Sequence, residues 1–200
     1  MNKSLRKIIE TKLNKEQAAF TILEITVVIS LFVFIIMLTS SLYLLSQRAY
    51  RKGSGRGELA QNIRVSLDRM SREIRQAVDI VTVLPTTGDD PGDPPMNELF
   101  FQDGHEIEEV TYIYYYLNGT DLKRSHIAYY FAEEPGVYVI WNSTNQLGES
   151  PEELIIEDRI IGEYFNTLEF WGTDGLVYIN LGLSKGENNL AINTTVFMRN

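Results

Sequence analysis

The chain contains no cysteine. A disulfide scaffold, a thiolate zinc site, an iron–sulfur centre and a cysteine nucleophile are therefore excluded. Histidine is scarce, with only His105 and His126 present. No Gly-x-Ser-x-Gly elbow occurs, and the one glycine-rich run, GSGRG, follows an apolar helix rather than a strand, so it is not a phosphate-binding loop. These gaps leave little to build an enzyme from, and none is expected. Positive charge is also in short supply. Eighteen Lys and Arg face 27 Asp and Glu, a net charge of −9, where a protein dedicated to nucleic acid needs a basic footprint. No direct nucleic-acid partner is expected. What is present is an ordinary globular composition, 44% apolar and 22% charged over 200 residues. That is room for one modest domain and an appendage.

The charge is unevenly placed. Residues 1–19 hold Lys3, Arg6, Lys7, Lys12 and Lys15 against Glu10 and Glu16, or +3; the remaining 13 basic and 25 acidic groups give −12. The basic tail runs into ITVVISLFVFIIMLTSSLYLL, residues 25–45, which are 21 residues without a charge. About 20 apolar residues span a bilayer as a helix, and the basic flank sets the N-terminus in the cytoplasm. A cleaved secretory signal fits poorly, because the apolar run is too long and no small-x-small pattern follows it.

Glu24 is the one charge within Phe20–Leu45 and stands at the fifth position of that stretch. A carboxylate at membrane depth costs about 2.5–3.5 kcal/mol at the centre and less near an end, so it usually has a partner. Either it lies among headgroups, or a cation meets it at the same depth. The segment Ala18-Ala19-Phe20-Thr21-Ile22-Leu23-Glu24, between a basic leader and the uncharged run, resembles the class III signal of type IV pilins and pseudopilins. The resemblance implies that a prepilin peptidase cuts between Ala19 and Phe20 and that Phe20 becomes an N-methylated terminus. It also implies that Glu24 serves assembly by neutralising the terminal ammonium of a neighbouring subunit, which fixes axial register. Ala19 stands where the family usually has Gly.

Beyond the apolar run, Gly53, Gly55 and Gly57 predict a kink, a melted turn or a flexible joint, with Arg48, Arg51 and Lys52 before it as headgroup anchors. Residues 58–81 predict an amphipathic helix. Leu59, Ile63, Leu67, Met70, Ile74 and Val78 form its apolar face, and Arg64, Asp68, Arg69, Arg72, Glu73 and Arg75 occupy the others. The stretch Leu67–Ala77 is similar to a segment of the J-type minor pseudopilins of type II secretion and the W-type minor type IV pilins. Residues 85–97 form a loop with four prolines. Its Asp89, Asp90 and Asp93 offer hard oxygen ligands for calcium without EF-hand spacing, and a solvated turn is the expected reading.

From residue 98 the period becomes two. Strands are expected at 98–103, 109–118, 121–131, 136–141, 153–158, 166–172, 175–184 and 190–200, with turns at Asn118–Asp121 and Thr173–Gly175. His105, close to Glu106, Glu108 and Glu109, is a weak metal candidate without a second histidine beside it. His126 reads as a hydrogen-bonded or exposed strand residue. The tyrosines at 112, 114, 115, 116, 129 and 130 suit core and cross-strand packing better than a recognition strip. The fold class expected is α+β: a long N-terminal helix, membrane-spanning in its first half and amphipathic in its second, packed on an antiparallel β domain at 98–200. This layout is pilin-like, and the resemblance then implies a minor pilin or pseudopilin. Such a subunit works without a cofactor. It meets the peptidase and other pilins, starts in the bacterial inner membrane with its C-terminal domain in the periplasm, and enters a pilus or pseudopilus near the tip. The competing reading is a membrane-anchored β-domain binding module, which has no need of the cut at Phe20.

Overall fold

The computed structural model describes residues 21–105 and 109–199. Two compact units divide the chain, Met1–Arg51 and Lys52–Asn200. One helix, α1, covers Ile22–Gln76 and contains the boundary between them. Among the described residues nine strands follow: β1 Asp79–Ile80, β2 Leu99–Gln102, β3 Thr111–Asn118, β4 Asp121–Phe131, β5 Glu134–Tyr138, β6 Glu152–Gly162, β7 Phe165–Thr173, β8 Leu176–Lys185 and β9 Asn188–Phe197. The expected α+β class is what the structure shows: a long N-terminal helix, then antiparallel sheets.

In the first unit the helical residues from Ile22 onward are exposed, including every large apolar side chain. By length and composition α1 can cross a membrane. The chain thus carries an N-terminal helix compatible with a single-pass anchor.

In the second unit the strands form two sheets. The first has the order β1-β2-β3-β4-β5, with β6 also on β4. Tyr130 pairs with Tyr138 of β5 and Glu152 of β6 at once, so these strands lie on opposite edges of β4. The second sheet is β7-β8-β9. Both expected turns are found. Asn118 pairs with Asp121 across Gly119-Thr120. Asp174 and Gly175 both have positive φ, 53° and 76°, the signature of a type I′ hairpin.

One core joins these parts. Leu59, Ile63, Met70 and Ile74 of α1 are fully buried against Phe101 and Ile113 of the first sheet and Phe165, Phe170 and Ile179 of the second. Each such side chain contributes about 1.5–3 kcal/mol on burial. The tyrosines of β3 divide by parity. Tyr115 faces this core, and Tyr112 is equally buried on the reverse face, stacked on Phe100 at 5.1 Å and edge-on to Tyr129 at 5.6 Å. The backbone N–H of Trp141 donates to the Tyr112 hydroxyl at 3.2 Å, which pins the following loop over this cluster.

Three expectations need correction. Of the three readings offered for the glycines, the melted turn does not occur, since the helix is continuous through residues 53–57. A Cβ at Gly55 would come within 2.7 Å of the Asn188 side-chain amide, which would have to shift to admit it. The amphipathic helix ends at Gln76 rather than 81, because Val78 donates to the Gln102 carbonyl at 3.0 Å and Asp79–Ile80 joins the sheet. Val78 is consequently exposed instead of completing the apolar face.

Candidate functional site

At the start of α1, Thr21 and Glu24 satisfy each other. The Thr21 N–H donates to Glu24 Oε2 at 3.1 Å, and the Glu24 N–H donates to Thr21 Oγ1 at 3.3 Å. The Thr21 hydroxyl also lies 3.3 Å from the same carboxylate oxygen. This is a capping box: two otherwise orphaned N–H groups are covered, and the negative charge sits at the positive end of the helix dipole. Among the described residues these contacts use only Oε2. Thr26, Ser30, Thr39 and Ser41 donate to the carbonyl four residues back at 2.8–2.9 Å, so these hydroxyls need no water. Ala19 and Phe20, the expected cleavage and methylation positions, lie outside the described residues.

The second unit holds a buried ion network. Glu73, in the last turn of α1, points inward beside Met70 and Ile74. Arg124, two residues along β4 from buried Leu122, faces it. Arg124 Nε donates to both Glu73 oxygens at 3.1 and 3.0 Å, and Nη1 donates to Glu157 Oε2 at 3.1 Å. The Tyr115 hydroxyl donates to Glu73 Oε2 at 2.5 Å, and Arg69 Nε donates to Oε1 at 3.1 Å. Arg159 pairs with the other oxygen of Glu157 at 3.0 Å. The Glu73 and Arg124 side chains are only 11% and 8% exposed. Burial alone would raise the Glu73 carboxyl, but the bonds from Tyr115 and Arg124 and the Arg124 charge outweigh it and hold it below its ordinary value. Burial would likewise lower Arg124, and Glu73 more than reverses this. Tyr115 is pushed well up by burial and by the neighbouring carboxylate. Each charge thus has an opposite partner, three arginines to two carboxylates, and Glu73 is held ionised. The network ties the end of α1 to the middle of β4.

Beside it lies an open cleft of about 290 Å³, lined by Arg69, Glu73, Asp103, His105, Arg124 and His126, among others. His105 Nδ1 is 3.6 Å from Asp103 Oδ1. His126 departs from expectation: its Nε2 is buried and has no hydrogen-bond partner among the described residues. Among the described residues no three His, Asp or Glu side chains are arranged to hold a metal ion, while Glu106 and Glu108 lie outside those residues. Asp89, Asp90 and Asp93 stand on an exposed loop, where the Gly92 N–H donates to Asp90 Oδ1 at 2.8 Å and the Asp93 N–H donates to the Asp90 carbonyl at 3.2 Å.

Sequence reasoning placed Glu73 and Arg69 on the solvent side of the helix and so missed this network. Two signals point to it. Glu73 lies three residues after Met70 and next to Ile74, on the border of the apolar stripe, and Arg124 shares strand parity with Leu122. No protein-family model matches this sequence, and no curated protein matches it.

Proposed function

We propose that the chain is a structural assembly subunit, a minor pilin or pseudopilin, that waits in a bacterial inner membrane and then enters a pilus-like fibre. The single observation that carries this reading is the position of Glu24. It is the one charge in an apolar helix, five residues into the stretch that begins at Phe20, behind a basic leader. Processing at Ala19–Phe20 would create an ammonium at the depth where a neighbour's Glu24 sits. Pairing the two removes two unfavourable charges from an apolar setting. The capping box supports the same role. It positions the carboxylate at the helix start while its described contacts leave Oε1 for a second donor. The α1 helix would pack in the fibre core and the β domain would face outward.

The test is the intact mass and N-terminal residue of the membrane-extracted chain, expressed with and without a prepilin peptidase. Peptidase-dependent loss of residues 1–19 with a methyl group on Phe20 is expected. A Met1 terminus in both strains would overturn the reading and favour the tethered binding module. Glu24→Val should keep the protein in the membrane yet abolish its incorporation into fibres.

A further inference from the structure

The first sheet ends on an edge of unusual character. β6 pairs with β4 along one side. Among the described residues no strand pairs with its other side, so a row of backbone donors and acceptors faces solvent. Leu154, Ile155, Ile156 and Ile160 on this strand are 39–57% exposed. β9 also ends a sheet, but its exposed positions run Asn189, Ala191, Asn193, Thr195 and Phe197, polar for most of their length. Long apolar edges invite unwanted pairing, and natural sheets blunt them with charge, proline or bulges. Bulges at Ile156 and Ile161 interrupt the β6 ladder. They leave two regular stretches, Glu152–Ile155 and Glu157–Ile160, and only the first is without a basic side chain of its own.

Charge decides what kind of strand can join the first. From Ser125 to Asp158 inclusive the chain has seven carboxylates and no lysine or arginine; Glu157 and Asp158 meet Arg124, Arg159 and Lys123 from outside that stretch, while Glu152 and Glu153 have no basic partner among the described residues. A second copy pairing antiparallel there would set Glu152 and Glu153 opposite Ile155 and Leu154 and diagonal to the other copy's acids, bringing four carboxylates together with no cation among them, which disfavours that pairing. We propose that the outer edge of Glu152–Ile155 receives an extended segment of a partner protein, antiparallel, with two aliphatic residues followed by two basic ones. The aliphatic pair would lie opposite Ile155 and Leu154, and the basic pair opposite Glu153 and Glu152. Main-chain bonds supply the affinity in such strand addition, and the side chains supply the choice of partner. The inference holds whether the anchored domain is a fibre subunit or a tethered module, so peptide binding and processing at Phe20 stand or fall separately.

The experiment uses the full chain in lipid nanodiscs and labelled, end-blocked peptides containing Val-Ile-Lys-Lys, Val-Ile-Glu-Glu or Val-Pro-Lys-Lys. Fluorescence anisotropy reads binding, and amide hydrogen exchange locates it. The lysine peptide should bind, weaken with salt, and protect amides within 152–156. The acidic and proline peptides should not bind. Glu152→Lys combined with Glu153→Lys should weaken binding by about tenfold or more and leave the Trp fluorescence of the fold unchanged. Equal binding of the acidic or proline peptide, protection elsewhere, no binding at all, or self-association of the chain through β6 would each overturn the proposal.

Discussion

Replacing Arg124 by methionine removes the cation that compensates Glu73 and leaves a carboxylate in the core. Breaking a buried ion pair on one side costs about 3–5 kcal/mol. The Glu73 and Arg124 side chains, 11% and 8% exposed, are dry enough for that range to apply. Arg69 at 3.1 Å and Tyr115 at 2.5 Å remain on Glu73, which places the loss in the lower part, about 3–4 kcal/mol. For a unit of this size that lowers the melting temperature by roughly 6–16 °C. Both tryptophans, Trp141 and Trp171, lie in the second unit, so thermal or urea unfolding of the full chain in nanodiscs, followed by Trp fluorescence, reports on it. The loss should shrink under acid conditions that protonate Glu73. A triple variant with Glu73→Met, Arg124→Leu and Tyr115→Phe leaves neither a bare charge nor an orphaned hydroxyl, and it should recover to within about 2 kcal/mol of the wild type. A loss below about 1 kcal/mol in the single variant, or a triple variant no better than the single, would refute the account.

Other outcomes follow from the same structure. Because Glu73 titrates below its ordinary value of 4.5, its contribution is complete above that pH and disappears as pH falls through the lowered folded value. Stability measured across the acid range should decline more steeply in the wild type than in Glu73→Gln. Gly53→Ala and Gly57→Ala, whose added Cβ would meet nothing within 4 Å, should each stabilise the helix by about 1 kcal/mol in the same melts. Gly55→Ala should gain less or lose, since its Cβ meets the Asn188 amide at 2.7 Å. Gly104→Ala would set a Cβ 2.0 Å from the Gln76 carbonyl oxygen; it should cost about 1–3 kcal/mol or more, seen as a lower urea midpoint.

The β domain was largely legible because each strand alternates and the hairpins are marked by Asn118-Gly119 and Asp174-Gly175. Strand ends shifted by a few residues, as with β6, which runs to Gly162 rather than 158. The division into two sheets was not visible, since pairing is a long-range choice that local period does not record. The helix end was misread because Ala77 and Val78 continue the apolar rhythm. What stops α1 is the close passage of Gly104 against Gln76 and the claim of Gln102 on the Val78 N–H, both from residues distant in sequence. The ion network was hidden for a related reason. Glu73 and Arg124 are each ordinary surface residues until β4 brings them within 3.0 Å. At the helix start the reverse held: Thr21 and Glu24 are three residues apart, and their relation was local from the beginning.

The way α1 is fastened in the second unit has a mechanical side. Its contacts are spaced along its length: Glu58 to Lys185 at 2.5 Å, Asn62 to the Glu163 carbonyl at 3.4 Å, Ser66 to the Ile161 carbonyl at 3.4 Å, Glu73 to Arg124 at 3.0 Å, and the Arg75 carbonyl to the Arg199 N–H at 3.0 Å. A pull along the helix axis would load these in parallel, as shear, rather than peel them one after another. Resistance to force is set by the barrier to unfolding and not by equilibrium stability. A domain of ordinary thermodynamic stability can therefore carry tension through this helix without releasing it.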